Sequence, residues 1–209
     1  MIFIVIRIIV LLLVLFLLLK KDKVNKSKTK KIIIIAVSVV LFVVSALIPF
    51  ENVFITFSTP ESSYKYHNQG TPVICVEGRD TDLVVGQKEN SYIYNIAPKT
   101  ANGWKLGMGY ELKNIYQSID SANKNLISVF RYKNTNEFYI VVTNIEGESL
   151  SVHDNLNSAF VLSEKTDKNG SANDYVYYTY INALDNNYVL SLNDIDISLG
   201  ELALKDVQK

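Results

Sequence analysis

The sequence predicts two N-terminal transmembrane α-helices followed by a mainly antiparallel β domain, a β-sandwich or small barrel-like fold with one short helix. Two long apolar runs near the N-terminus predict the helices. Short β-branched and aromatic runs, separated by turn residues, predict the β domain. Residues 1–50 therefore form a predicted transmembrane helical hairpin, and residues 51–209 a predicted extracytoplasmic β-rich domain.

The two apolar runs are residues 1–19 and 32–50, and Arg7 is the one charge within them. At about 1.5 Å per residue, each run is about 28 Å long as a helix, close to the thickness of a bilayer's hydrocarbon core. Neither run has the polar stripe of a helix on the surface of a water-soluble protein. Arg7 is near enough to the N-terminus to extend its guanidinium to the lipid interface. Each run is therefore predicted to span a membrane.

The segment between the runs, residues 20–31, contains seven lysines. A lysine at the bilayer centre costs about 2.5–3.5 kcal/mol, and short loops rich in Lys and Arg are retained in the cytoplasm. We therefore expect a multi-pass protein of the cell membrane, with a cytoplasmic loop and with the N-terminus and the C-terminal domain outside. An alternative to a second transmembrane helix is that this run is a signal peptide. Val43 and Ser45 partly match the small-residue pattern of a cleavage site.

Charge divides at the same boundary as hydrophobicity. Residues 1–50 contain eight basic residues and one acid, whereas residues 51–209 contain 13 basic and 20 acidic residues. Proteins that bind nucleic acid carry clustered Lys and Arg instead of an acidic excess. The bilayer is therefore a predicted partner, and nucleic acid is not.

A short helix is predicted to begin at Pro60. Thr59 can cap it, proline suits the first helical turn, and Glu61 complements the positive end of the helix dipole. Gly70 is the predicted end of this helix. Residues 53–57, just before it, form a β-branched and aromatic run that predicts a short strand.

At least three β-hairpins are predicted, because polar turns separate paired apolar runs. The paired runs are 73–77 with 82–86, 92–97 with 104–106, 127–132 with 138–143, and 175–181 with 188–192. Asn102-Gly103 is a strong indication of a tight turn. Residues 163–174 have no apolar anchor, and we expect them to form an exposed, mobile loop.

Cys75 is the only cysteine, so the chain cannot form an intramolecular disulfide. Its apolar neighbours predict a buried thiol within a strand. A catalytic thiol needs a nearby base, and His67 and His153 are the only histidines. Two histidines without a cysteine pair do not match the ligand sets of structural zinc sites. No catalytic residue, metal or cofactor is predicted.

Two Asp-x-Asp pairs could contribute oxygen ligands to a calcium ion. They are Asp80 with Asp82, and Asp194 with Asp196. A calcium loop needs further oxygen ligands at fixed spacing, and aspartates beside turns more often cap their own backbone. The capping interpretation is the one that we expect for both pairs.

Five aromatic residues form the predicted ligand surface: Tyr92, Tyr94, Trp104, Tyr175 and Tyr177. Gathered on one exposed sheet face, they would offer an amphipathic surface suited to a glycan or a peptide. The alternative is that the rings are half-buried in the core and only the hydroxyl groups reach its rim.

Three segments resemble an uncharacterised family of small membrane-anchored proteins from low-GC Gram-positive bacteria. They are residues 51–61 (ENVFITFSTPE), 82–85 (DLVV) and 98–105 (PKTANGWK). A chain rich in Ile, Lys and Asn is typical of that source. The family has no assigned activity, so the resemblance implies an envelope location and supplies no functional residue.

These observations favour a non-enzymatic, membrane-anchored cell-envelope protein whose external β domain binds a protein or a cell-wall ligand. One alternative is a cell-wall or peptide hydrolase that uses acids such as Asp80 and Asp82. Another is an immunity or protective membrane protein that acts against a secreted toxin.

Overall fold

The computed structural model describes residues 28–47, 49–89, 91–120, 125–144, 148–166 and 173–199, with five single positions between 9 and 20. Most of the first predicted span, 1–19, and most of the lysine-rich loop lie outside these residues. Helix α1 is Lys28–Leu47 and contains most of the second predicted span. Within the described residues, no helix combines the length and the apolarity that crossing a membrane requires.

A short connection links α1 to the second helix. It contains a 3-10 helix at Phe50–Val53, and Phe57 forms an isolated bridge with Trp104. The prediction of a strand over residues 53–57 is therefore wrong for all but its last residue. The reason is local: the carbonyl of Glu51 accepts hydrogen bonds from the amides of Phe54 and Ile55, which curls the backbone away from an extended form.

Helix α2, Pro60–His67, begins where the sequence predicts. The Thr59 hydroxyl accepts a hydrogen bond from the Ser62 amide, and the Ser62 hydroxyl in turn accepts one from the Thr59 amide. This reciprocal capping box satisfies two amides at the helix start. The helix ends at His67, three residues before Gly70, whose φ of 110° suits a residue without a side chain.

Twelve strands of the described residues form three antiparallel sheets. The first sheet has the order β1-β2-β3-β4, the central sheet β5-β6-β7-β10-β9, and the third sheet β12-β11-β8. The strands are β1 Thr71–Glu77, β2 Thr81–Lys88, β3 Ser91–Thr100, β4 Gly103–Trp104, β5 Leu112–Asp120, β6 Asn125–Tyr132, β7 Phe138–Asn144, β8 Val152–Asp154, β9 Val161–Thr166, β10 Asn173–Ile181, β11 Val189–Leu192 and β12 Ile195–Ser198. A 3-10 helix, Gly109–Glu111, leads into β5. The mainly antiparallel β prediction is confirmed.

The central sheet is packed on both faces. Along β7, Ile140 and Val142 pack with residues of the third sheet, while Tyr139 and Val141 pack with residues of the first sheet. Helix α2 covers the outer face of the first sheet through Tyr64, which is fully buried. The layers therefore follow the order α2, first sheet, central sheet, third sheet.

Helix α2 lies so close to the first sheet that one position of β2 accepts no side chain. A Cβ atom at Gly86 would overlap the ring and hydroxyl group of Tyr64. The glycine is therefore required by packing, since its own φ is ordinary.

Three predicted hairpins are confirmed: β1-β2, β3-β4 and β6-β7. In β3-β4 the strand runs through Thr100, so the turn lies at Ala101 and Asn102. The fourth pairing, of residues 175–181 with 188–192, is wrong. β10 pairs with β7 and β9, whereas β11 pairs with β8 and β12 in another sheet.

The predicted polar loop, residues 163–174, is wrong at both ends. Ser163–Thr166 belongs to β9 and Asn173 to β10, and residues 167–172 lie outside the described residues. β9 is an edge strand that pairs through its backbone, and an edge strand accommodates charged side chains without an apolar anchor.

Candidate functional site

A cluster of polar groups, of which Thr81, Asp82, Glu137 and Tyr139 are buried, joins one end of the first sheet to the central sheet. We call it the polar junction: the β1-β2 turn with Asp80, Thr81 and Asp82, together with Lys99, Trp104, Glu137, Tyr139 and Tyr180. Glu137 comes directly before β7 and is fully buried. Its Oε1 accepts a hydrogen bond from the Asp80 amide at 2.8 Å, and its Oε2 accepts one from the Thr81 hydroxyl at 3.1 Å. The carboxylate therefore links the β1-β2 turn of the first sheet to the start of β7 in the central sheet.

Two tyrosines complete the surroundings of Glu137. The Tyr180 hydroxyl donates to Glu137 Oε1 at 3.3 Å. The Tyr139 hydroxyl lies 2.7 Å from Thr81 Oγ1 and donates to the Thr81 carbonyl at 2.9 Å. Burial raises the pKa of Tyr139 far above its ordinary value, so this hydroxyl keeps its proton and its role as a donor.

Asp82 is the second buried carboxylate of the junction, with 3% of its surface exposed. Its Oδ1 lies 3.0 Å from Lys99 Nζ, and its Oδ2 accepts a hydrogen bond from Trp104 Nε1 at 2.6 Å. Burial by itself lowers the pKa of Lys99, but the hydrogen bonds and charges of Asp82 and Glu77 raise it overall. Lys99 is therefore a permanent cation that neutralises Asp82.

Asp80 and Asp82, the acids of the alternative hydrolase hypothesis, have different surroundings. The Asp80 side chain is 60% exposed and forms an ion pair with Arg79 at 2.9 Å. Arg79 also donates to the side-chain oxygen of Asn182, which follows β10. A general acid and base need a free carboxyl group directed at a substrate. Here each carboxyl group is already engaged by a cation of the chain.

The five predicted ligand-surface aromatics do not share a face. Tyr92 and Tyr94 pack between the first and central sheets, Trp104 packs on the α2 side of the first sheet, and Tyr175 and Tyr177 pack between the central and third sheets. The physical reason is that the inner strands of the central sheet are covered on both faces, so strand alternation exposes no row of rings there. The five rings lie partly or fully buried in three separate clusters.

Two of these tyrosines, Tyr94 and Tyr177, connect neighbouring layers or segments of the fold. The Tyr177 hydroxyl accepts a hydrogen bond from the Leu150 amide at 2.8 Å and so connects β10 to the segment before β8. Tyr94 lies with its ring centroid 4.9 Å from that of Phe130, across the interface of the first and central sheets. Burial raises the pKa of Tyr94 to about 12. Both side chains serve the contact between layers.

Cys75 lies in β1, partly buried beside Tyr64 of α2. Burial, followed by the negative charge of Asp82, raises the pKa of its thiol to about 12. A nucleophilic cysteine requires the opposite shift, because the thiolate is the reactive form. The environment is that of a structural thiol.

The second aspartate pair lies in the β11-β12 turn. Asn193 and Asp194 both have positive φ, 47° and 67°, as a two-residue hairpin turn of the I′ type requires. Asp196 Oδ1 accepts a hydrogen bond from the Ser191 hydroxyl across the hairpin. In the part of the chain that the structure describes, no three His, Cys, Asp or Glu side chains are grouped so that they could hold a metal ion.

A third buried acid, Asp154, ends strand β8 and binds the loop that follows it within the third sheet. It accepts hydrogen bonds from the amides of Leu156 and Ser158, at 3.0 and 2.8 Å, and from the Tyr188 hydroxyl at 2.9 Å. Neither Asp154 nor Glu137 is among the predicted site residues. Glu137 directly precedes a strand and Asp154 ends one, and nothing local in the sequence distinguishes them from exposed acids.

No family model matches the chain, and comparisons with curated proteins and with solved structures likewise found no significant match. The resemblance to small membrane-anchored proteins of Gram-positive bacteria therefore stays a prediction.

We expect Glu137→Ala to destabilise the fold by about 1–3 kcal/mol, since it leaves the Asp80 amide and the Thr81 hydroxyl buried without their acceptor. Glu137→Gln keeps one acceptor oxygen and should cost less. Urea unfolding of the detergent-solubilised full chain, followed by near-ultraviolet circular dichroism, measures both. Glu148→Ala, at an exposed acid, is the matched control. Equal midpoints for the Glu137→Ala and Glu148→Ala variants would contradict the assigned role.

We expect the thiol of Cys75 to be nearly inert in the folded chain. A rise in its pKa from 9.0 to about 12 lowers the thiolate population at pH 8 on the order of a thousandfold. Reaction with a chromogenic disulfide reagent, in native buffer and in urea, measures the difference. Reaction in native buffer as fast as in urea would show an activated cysteine and would revive the catalytic interpretation.

Proposed function

We propose that this chain is a non-enzymatic, membrane-anchored cell-envelope protein whose external β domain binds a protein or a cell-wall ligand. The observation that carries the proposal is the state of three of the four buried acids of the described residues. Glu137, Asp82 and Asp154 are each used to join strands, turns or sheets. An enzyme needs free polar groups aimed at a substrate, whereas a binding domain works through its surface.

Support for the anchor comes from the side chains of α1. At about 100° per residue, its exposed apolar side chains extend over about 200° of the helix circumference, a wider arc than the apolar stripe of a helix on a water-soluble core. Buried Ser38 lies on the remaining side. The exposed side chains include Ile32, Ile33, Ile35, Val37, Val39, Val40 and Val43. Burying such a side chain is worth about 1.5–3 kcal/mol. Contact with hydrocarbon chains is the simplest way for this helix to gain that free energy.

The orientation follows from the positions of the lysines. Lys28, Lys30 and Lys31 form the first turn of α1, and the β domain follows its other end. If the lysine-rich loop is retained in the cytoplasm, as the positive-inside rule predicts, the domain lies outside. An anchor would also hold the domain at the outer face of the membrane, where a ligand in the cell envelope can reach it.

The exposed strand edges are the surfaces that we propose for the ligand. β9 is the outer strand of the central sheet, and its Val161 and Leu162 are each 44% exposed. β12 is the outer strand of the third sheet and exposes Ile195 at 52%. An edge strand offers unpaired backbone groups and alternate side chains to an extended peptide.

The topology is tested by treating intact cells with trypsin and probing with an antibody to the C-terminus. We expect the full-length signal to disappear, because the external domain carries trypsin-sensitive Lys and Arg residues. A cytoplasmic marker should survive until the cells are permeabilised. Protection of the epitope in intact cells would place the domain inside. A chain in the supernatant after high-speed centrifugation without detergent would mean that no anchor exists, and a shortened chain in the medium would identify a cleaved signal peptide.

Ligand binding is tested by a photoreactive amino acid placed at Leu162 in the full chain on intact cells. We expect an adduct at Leu162 and none at Leu156, a comparably exposed leucine in the segment before β9. In parallel, the purified chain is assayed on cell-wall polymer and on peptides. Hydrolysis that is lost in Asp80→Asn or Asp82→Asn, without any adduct, would overturn the proposal in favour of an enzyme.

A further inference from the structure

The segment between the two helices leaves two large apolar side chains unusually exposed. We call residues 50–57 the connector. Phe54 is 82% exposed and Val53 is 76% exposed. These are the highest values among the large apolar side chains of the described residues, above any on α1. Two adjacent apolar groups held this far into solvent indicate a contact that the chain alone does not supply.

The connector is not a loose linker, since side chains and backbone bind it to the domain. Asn52 Nδ2 donates to the Leu106 carbonyl at 2.9 Å, and the Leu106 amide donates back to Asn52 Oδ1 at 2.7 Å. Phe57 and Trp104 exchange two backbone hydrogen bonds, at 2.8 and 2.9 Å. Phe54, which lies between these two attachments, is therefore held outward by the fold.

Lys105 reinforces the same segment. Its ammonium group donates to the carbonyl oxygens of Asn52 and Ile55 and to the hydroxyl of Thr56, at 2.7 to 2.8 Å. The Lys105 carbonyl in turn accepts a hydrogen bond from Ser63 of α2. Backbone carbonyls near a hydrocarbon phase must find partners within the protein. The connector meets this requirement at the residues on either side of Phe54.

Chain length places Phe54 near the end of the predicted span at Phe50. Four residues extend at most about 14 Å, at about 3.6 Å per residue. The polar interface on each side of a bilayer is about 5–8 Å thick, by the difference between the full and the hydrocarbon thickness. A fully extended chain would carry Phe54 past the head groups, but Phe50–Val53 is a 3-10 helix, which rises about 2 Å per residue. Phe54 is therefore about 8 Å from Phe50 along the chain, close to the head groups when Phe50 lies at the hydrocarbon boundary.

We propose that Val53 and Phe54 insert into the interfacial region of the membrane and dock the β domain onto the lipid surface in a fixed orientation. This inference rests on the proposed anchoring by residues 1–50. Apolar and aromatic side chains are the groups that bind at the boundary between head groups and acyl chains. The acidic excess of residues 51–209 disfavours a broad contact with anionic lipids, so the contact is confined to the connector.

The test is tryptophan fluorescence of the full chain reconstituted into vesicles of phosphatidylcholine and phosphatidylglycerol. Phe54→Trp is compared with Leu156→Trp, an exposed apolar position in the segment that follows the third-sheet strand β8. Trp104 is common to both variants, and the wild-type spectrum is subtracted. Phosphatidylcholine brominated near the head group serves as the quencher. We expect the Phe54→Trp emission to be blue-shifted and mostly lost, and the Leu156→Trp emission to stay solvent-like and unquenched.

Flotation of the same vesicles separates this inference from the proposal on which it rests. A chain that floats with the vesicles while Phe54→Trp stays unquenched would overturn the docking contact and leave the anchor intact. A chain that does not float would overturn the anchor itself. Equal quenching of both variants would show a domain that lies on lipid without a specific contact, which also contradicts the inference.

Discussion

The fold depends on a central sheet whose inner strands, β6, β7 and β10, are covered on both faces. All seven residues of β7 are buried, with Ile140 and Val142 directed to the third sheet and Tyr139 and Val141 to the first. Antiparallel sheets often leave one face to water, but a strand apolar on both sides cannot. The first and third sheets thus cover the two faces of the central sheet, and α2 covers the outer face of the first sheet.

Stacking three sheets buries the strand ends as well as their faces, and polar groups there need partners inside the protein. Glu137 supplies such partners between the first and central sheets, and Asp154 supplies them within the third sheet. Glu137 receives the amide and hydroxyl donors of the first sheet's turn, while Asp154 receives the hydroxyl of Tyr188 and two loop amides. Acids used in this way rigidify the fold and are not available for acid-base chemistry. Asp82, also buried, likewise finds its partners within the protein, in Lys99 and Trp104.

The sequence predicted the elements that depend on interactions between neighbouring residues, which are the tight hairpins and the short helix. Hairpins β1-β2 and β6-β7 have apolar strands joined by short polar turns, and α2 has a capping residue and a proline in the expected places. The sequence has no such pattern for pairing between distant segments: β11 pairs with β8, and the charged edge strand β9 pairs with β10. Glu137 was unpredictable for the same reason, since Thr81 and Asp80 are 56 and 57 residues away. Residues 175–181 (YVYYTYI) place apolar or aromatic side chains on both faces of β10, a pattern that does not show whether one face or both are covered.

Rigid attachment near a proposed anchor has a consequence for ligand binding. A flexible linker would let a tethered domain rotate freely and present every edge in turn. Here Asn52 and Lys105 bind the connector to the end of the first sheet, and that sheet packs on the central sheet that ends in β9. If Phe54 contacts lipid as proposed, the packed layers fix the orientation of Val161 and Leu162 relative to the lipid surface. A ligand fixed in the envelope would meet this edge at one angle and height, so that affinity depends on the connector although the ligand never touches it.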